Sequence, residues 1–159
     1  MKTMRPQLFR LARHALTVAL LCLIPLRPAL ADVVVVVNTR SSIDQLSREG
    51  VINIFMGRYR KLPDGATALP LDQDTESPVR RAFYRLLLDK SLEEINSYWA
   101  RLVFAGRTMP PKEISGPNEV LERVANDPHA IGYLDRSQLS RADRTSASRN
   151  VKVLFSLPD

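Results

Sequence analysis

The chain has 159 residues, with 23 Lys+Arg against 17 Asp+Glu, a formal charge of +6 and one cysteine. At 45% hydrophobic and 25% charged residues the composition is globular, which excludes a disordered tail, a collagen and a coiled coil. The length suits one domain and excludes most two-lobed enzymes, while the charge invites nucleic acid or an anionic membrane as partner.

The charge is concentrated at the start. Lys2, Arg5, Arg10 and Arg13 precede an apolar run from Ala15 to Pro25, and Ala29-Leu30-Ala31 supplies the small residues of a cleavage site. This pattern predicts a cleaved secretory signal over 1–31. The apolar run is about half of the ~20 residues that span a bilayer. Cys22 follows Leu20-Leu21 rather than a small residue, which argues against a lipid anchor. Removing 31 of 159 residues leaves 128, and it takes five basic residues (Arg27 is the fifth) and no acid. The remaining 18 basic residues face 17 acidic ones, a charge of +1. Cys22 and His14 leave too, so His129 is the one histidine of the predicted single domain, 32–159. A core of this size needs no disulfides. The predicted address is a bacterial periplasm, which argues against nucleic acid.

Val33 to Val37 form an unbroken β-branched run, expected as a strand buried on both faces of a parallel sheet covered by helices. Ser42 is expected to cap a short helical turn holding Ile43 and Leu46. Ser47 caps a helix with Val51, Ile54 and Phe55 on one face, stopping at Gly57. Arg58 to Ala66 reads as a loop with a Pro63-Asp64-Gly65 turn. Thr67 to Leu71 reads as a short strand, pushed toward an edge or its own end by Pro70.

Ser77-Pro78 opens a helix with Val79, Phe83, Leu86 and Leu87 on one face. Ser91 and Glu94 make a capping box for the next, whose stripe is Leu92, Ile95, Trp99, Leu102 and Val103. Tyr98, Trp99, Phe104 and Phe83 are expected in the core. Gly106 to Ser115 reads as a basic loop, and Pro117 to Asn126 as a helix with Val120, Leu121 and Val124 inward, ended by Asp127-Pro128. Ala130 to Leu134 is a strand, Arg136 to Asn150 a loose polar stretch, and Val151 to Phe155 a last strand. Strands separated by helices imply a small α/β sandwich, at least partly parallel.

Three ordered stretches resemble the phosphate-binding proteins of ABC transporters. Leu46 to Gly57 is similar to that family's helix ending in Ile-Phe-x-Gly. Pro63-Asp64-Gly65, Leu69-Pro70-Leu71, Ser77 and Phe83 resemble the segment entering its phosphate-binding turn. Asp127 to Tyr133 is similar to its Pro-x-Ala-Ile-Gly-Tyr strand. All of these correspond to the second lobe of a two-lobed clamshell. The resemblance implies an α/β fold, a single small periplasmic-binding-protein-like lobe with a mixed or mostly parallel sheet of three to five strands flanked by helices. It also implies a phosphate or oxyanion ligand and an ABC permease, sensor or envelope protein as partner, and a homodimer is one way to rebuild a cleft. The family's turn reads Arg-x-x-x-Ser-Gly-Thr, whereas Gln73, Ser77, Pro78 and Val79 stand here. Ser77 and Arg80 match, and the charged fork, the glycine and the second hydroxyl are replaced.

The start of the Ser77 helix is the best anion site in the chain, since its free N–H groups and positive dipole end favour an oxyanion. Its candidate ligands are Gln73, Thr75, Ser77, Arg80 and Arg81. Asp72, Asp74 and Glu76 lie just before it, so a competing reading has the acids satisfying the dipole while Arg80, Arg81 and Arg85 form a solvated face. Asp72-x-Asp74-x-Glu76 lacks the glycine of a calcium loop. His129 alone does not make a transition-metal site. No nucleophile motif or phosphate-loop pattern occurs, so a non-catalytic protein with no cofactor is expected. Arg101, Arg107 and Lys112 flank Pro110-Pro111, and Arg136, Arg141, Arg144 and Arg149 follow later. These arginines are either solvated loops or a docking surface for an acidic partner or anionic membrane. Two functions stand: an oxyanion-binding module of ABC-type uptake or sensing, or an interaction module of the cell envelope that has lost its ligand.

Overall fold

The computed structural model describes residues 32–142 and 148–157. The predicted signal at 1–31 and Arg144 in the polar stretch lie outside the described residues. Strand β1 (Val33–Asn38) is fully buried. Its side chains alternate between two cores, as the period of a strand requires. Val33, Val35 and Val37 enter one cluster with Phe55, Phe83, Ile95 and Trp99. Val34 and Val36 enter the other with Leu71, Val120, Val124 and Leu134.

The remaining elements are α1 (Arg48–Phe55), β2 (Leu69–Gln73), α2 (Pro78–Leu88), α3 (Leu92–Phe104), β3 (Lys112–Ile114), α4 (Gly116–Asn126), β4 (Ala130–Asp135), α5 (Arg136–Ala142) and β5 (Val151–Ser156). The five strands form one sheet in the order β3-β2-β4-β1-β5. Strand β2 runs parallel to both β3 and β4, whereas β1 is antiparallel to both β4 and β5. The mixed sheet has α1, α2 and α3 on one face and α4 on the other. Burial of β1 on both faces was expected, but its parallel pairing was not realised. Complete burial follows from helices on both faces, and it leaves the direction of the neighbours open.

Strand β2 is displaced from the expected 67–71 to Leu69–Gln73. Pro70 is tolerated because β2 pairs there with β4 alone, and β3 joins only from Leu71. The loop expected over 106–115 contains β3, too short for a sequence pattern to reveal. Between 41 and 46 there is no helix; the Ser41 hydroxyl, not Ser42, accepts from the Ile43 N–H at 3.4 Å. The stretch from 136 holds α5, where Asp135 accepts from the Ser137 N–H at 2.8 Å and Leu139 packs on the second core.

The caps at Ser47 and Ser91 are present, the latter with its full Glu94 capping box. Gly57 has φ +67, and a Cβ there would lie 2.8 Å from the Trp99 ring, so the turn after α1 needs glycine. In β4, a Cβ on Gly132 would lie 2.6 Å from Val120, which shows how closely α4 approaches the sheet. Asn38 closes that approach. Its amide donates to the carbonyls of Val124 and Ala125 at 2.8 and 2.7 Å, satisfying the end of α4. Val103 and Phe104, expected inward, are exposed because α3 outruns the core at its last turn.

Candidate functional site

The carboxyl end of β2 and the first turns of α2 carry the site. Asp72 sits in the strand with 3% of its surface exposed. Arg80 and Tyr84 share a face of α2 because they are four residues apart. The Arg80 Nε donates to Asp72 Oδ2 at 3.1 Å and the Tyr84 hydroxyl donates to the same oxygen at 2.9 Å. From β4, the Tyr133 hydroxyl donates to Oδ1, which also accepts from the Gln73 N–H at 2.9 Å. Four donors thus converge on one buried carboxylate.

Gln73 extends this network. Its Nε2 donates to the Tyr133 carbonyl at 3.0 Å, and its Oε1 accepts from the Ser77 hydroxyl at 2.7 Å. The same Ser77 oxygen accepts from the Arg80 N–H at 3.3 Å and so caps α2. Pro78 stands at the first helical position and has no N–H. The Arg80 Nη2 reaches Asn96 Oδ1 at 3.5 Å, and Arg80 Nη1 is buried with no hydrogen-bond partner.

The five predicted ligands therefore divide. Gln73, Ser77 and Arg80 join the buried network, whereas Thr75 and Arg81 are exposed. Those two line a groove of about 650 Å³ with the bases Arg85 and Lys90, the acids Glu76, Asp89 and Glu93, and Asn96. Asn96 connects the groove to the Arg80 guanidinium. Arg80 is 6% exposed, so the solvated arginine face contains only Arg81 and Arg85. Asp72, read from sequence as one of three acids near a helix start, is instead the hub. Tyr84, Tyr133 and Asn96 were missed altogether. The one sequence signal for the hub is a carboxylate inside a strand with an arginine and a tyrosine one helical turn apart nearby. Among the described residues no three His, Cys, Asp or Glu side chains converge on a metal position.

Burial pushes the Asp72 carboxyl up, and the Arg80 charge and the tyrosine hydroxyls oppose that rise. Burial also raises the Tyr84 and Tyr133 phenols well above their ordinary value, and the Asp72 charge adds to it. Both stay protonated donors when an unfolded tyrosine has begun to ionise near pH ~10. Above that pH the folded chain holds protons that the unfolded chain has lost, so stability falls as pH rises toward the folded values. The expected slope is about 1.4 kcal/mol per pH unit for each tyrosine. Denaturant titrations between neutral and strongly alkaline pH should show it, and Tyr84→Phe should remove one share. An unchanged slope in both Tyr84→Phe and Tyr133→Phe would show that neither phenol is perturbed.

No protein-family model matches the chain, and no curated protein does. Solved structures do. The chain is similar to an ABC-type phosphate transport receptor from Vibrio cholerae, with TM-score 0.57, 14% identity, and coverage of 77% of this chain and 45% of that one. It is also similar to PstS from Borrelia burgdorferi, with TM-score 0.57, 17% identity and coverage of 77% and 46%. The chain has the lobe fold of phosphate substrate-binding proteins. A protein from Clostridium perfringens assigned to that group and solved with bound phosphate matches this lobe equally well, with TM-score 0.57, 16% identity and coverage of 77% and 44%. The lobe thus spans less than half the length of the structures it matches. In it, the Asp72 network lies at the carboxyl end of parallel strands, where open α/β sheets receive ligands.

Proposed function

We propose that the protein is a periplasmic, non-catalytic solute-binding-like module of ABC-type uptake or sensing, with phosphate or a related oxyanion as its ligand. The carrying observation is Arg80, whose Nη1 is buried without a partner while Nη2 meets Asn96 at the wall of the groove lined by Thr75 and Arg81. An oxyanion entering there meets the exposed Arg81 first, with the buried Arg80 guanidinium behind Asn96. Gln73 and Ser77 hold that arginine's helix in register. One lobe supplies only part of a ligand shell.

Calorimetric titration with phosphate and sulfate tests this. Saturable heat is expected, with Arg81→Ala weakening affinity at an unchanged melting temperature. Ligand at a hundredfold excess over Kd should stabilise the fold by about 2.7 kcal/mol. Absence of both heat and thermal shift at millimolar oxyanion would sink the reading.

A second reading is an envelope interaction module without a ligand. The specific observation favouring it is closure of the network: Ser77 and Gln73 satisfy each other, Arg80 is paired with Asp72, and Pro78 offers no donor. That reading predicts no oxyanion heat and recovery of an envelope protein on cross-linking. A lone monomer that binds phosphate rules it out.

A further inference from the structure

Tyr59, Val103, Phe104 and Met109 are four of the five large hydrophobic residues exposed among the described residues, the fifth being Val153. The fold brings the four to one end of the molecule. Val103 and Phe104 form the last turn of α3, and Met109 follows in the next loop. The Arg60 Nη2 donates to the Met109 carbonyl at 2.8 Å, joining the Tyr59 turn to that loop. Tyr98 ties the same two segments through its hydrogen bond to the Met56 carbonyl at 2.8 Å.

Basic side chains outnumber acidic ones at this end. Segments 50–63 and 95–109 contain Arg58, Arg60, Lys61, Arg101 and Arg107, and neither contains an Asp or Glu. Arg58, Arg101 and Arg107 are all exposed. The carboxylates that approach are Glu93 and Glu94, which share a groove with Arg58 and Arg101, and Glu94 is paired with Lys90 at 2.7 Å. Asp64, in the turn after Lys61, is engaged with the Ala66 N–H. The fold thus gathers a basic, aromatic-tipped pole.

We propose that this pole, where Phe104 and Met109 project among Arg58, Arg101 and Arg107, docks the protein on an anionic lipid surface. Phe104 is 96% exposed and makes almost no contact with its own chain. A bilayer interface receives such a projecting ring without a matching pocket, whereas a protein partner must supply one. The arginines meet lipid phosphates and the apolar tips enter the headgroup boundary. No helix among the described residues is long and apolar enough to cross a membrane, so the contact is peripheral. The groove of Arg58 and Arg101 adjoins the groove of Thr75 and Arg81, sharing Lys90 and Glu93, but Arg101, Phe104, Arg107 and Met109 lie outside the latter, so the two readings can succeed or fail independently.

The test is co-sedimentation of the purified protein with vesicles of phosphatidylglycerol mixed with phosphatidylcholine, against vesicles of phosphatidylcholine alone. Binding is expected to the anionic vesicles at low salt and to be lost at high salt. Arg101→Glu with Arg107→Glu should lower partitioning at least tenfold, from about fivefold per charge near the surface. Phe104→Ser with Met109→Ser should also weaken it, and both variants should melt like the parent because the four side chains are exposed. No binding to anionic vesicles at low salt overturns the proposal. So does binding that survives both variants, or a pole that captures a soluble acidic protein while ignoring the vesicles.

Discussion

Replacing Arg80 by methionine is expected to destabilise the protein by about 3–5 kcal/mol, the cost of leaving a buried carboxylate without its countercharge. For a domain of this size that lowers the melting temperature by on the order of 10–20 °C. The cause is specific. Asp72 and Arg80 are both buried, their side chains 4% and 7% exposed, and meet at 3.1 Å. Adding Asp72→Asn to Arg80→Met removes the stranded charge while keeping an acceptor for one of the two tyrosines, so the double variant should be more stable than Arg80→Met alone. A loss below about 1 kcal/mol for Arg80→Met would instead mark the pair as equivalent to a surface ion pair. Thermal melts of the three proteins decide the matter. Burial of Arg80 also governs how binding is measured. Arg80 variants confound affinity with folding, whereas Arg81 and Thr75 are exposed and report on affinity alone.

Phe83→Ala should cost a comparable amount, about 3–5 kcal/mol, as expected for truncating a buried aromatic ring. The Phe83 ring stacks on Tyr133 at 3.8 Å between centroids with 4° between planes, and meets Phe55 edge-on at 4.8 Å. Its removal opens a cavity against the ring whose hydroxyl serves Asp72, so the effect reaches beyond lost hydrophobic area. Phe83→Leu restores volume but not the stacked face, and should recover only part of the loss. Urea unfolding measures both. A cost near that of an exposed residue would mean that Tyr133 is held by its hydrogen bonds alone.

Local features of the fold were legible because their causes are local. Ser47 and Ser91 cap helices through their own following N–H groups, and Gly57 ends a helix because the chain turns at positive φ there. The valine run announced a strand buried on both faces. Its antiparallel neighbours were not legible, since strand pairing depends on partners 94 to 122 residues away. The three-residue β3 is too short to carry a period. Phe104 illustrates the opposite limit, for its helical spacing fits the core stripe while the helix runs past the core.

The site shows the same division. The sequence alone determined that an amphipathic helix begins at Ser77-Pro78, close behind a short strand and the acids Asp72, Asp74 and Glu76. Only the tertiary structure decided which charges are buried there. Arg80 lies one residue from the exposed Arg81, and nothing in the local pattern distinguishes them. Packing α2 against the sheet turns one toward Asp72 and the other toward water. Likewise, basic residues from two distant segments form one pole only because Arg60 and Tyr98 tie those segments together. Charge is counted along a chain, but its energy is set by the neighbours and the solvent it meets in space.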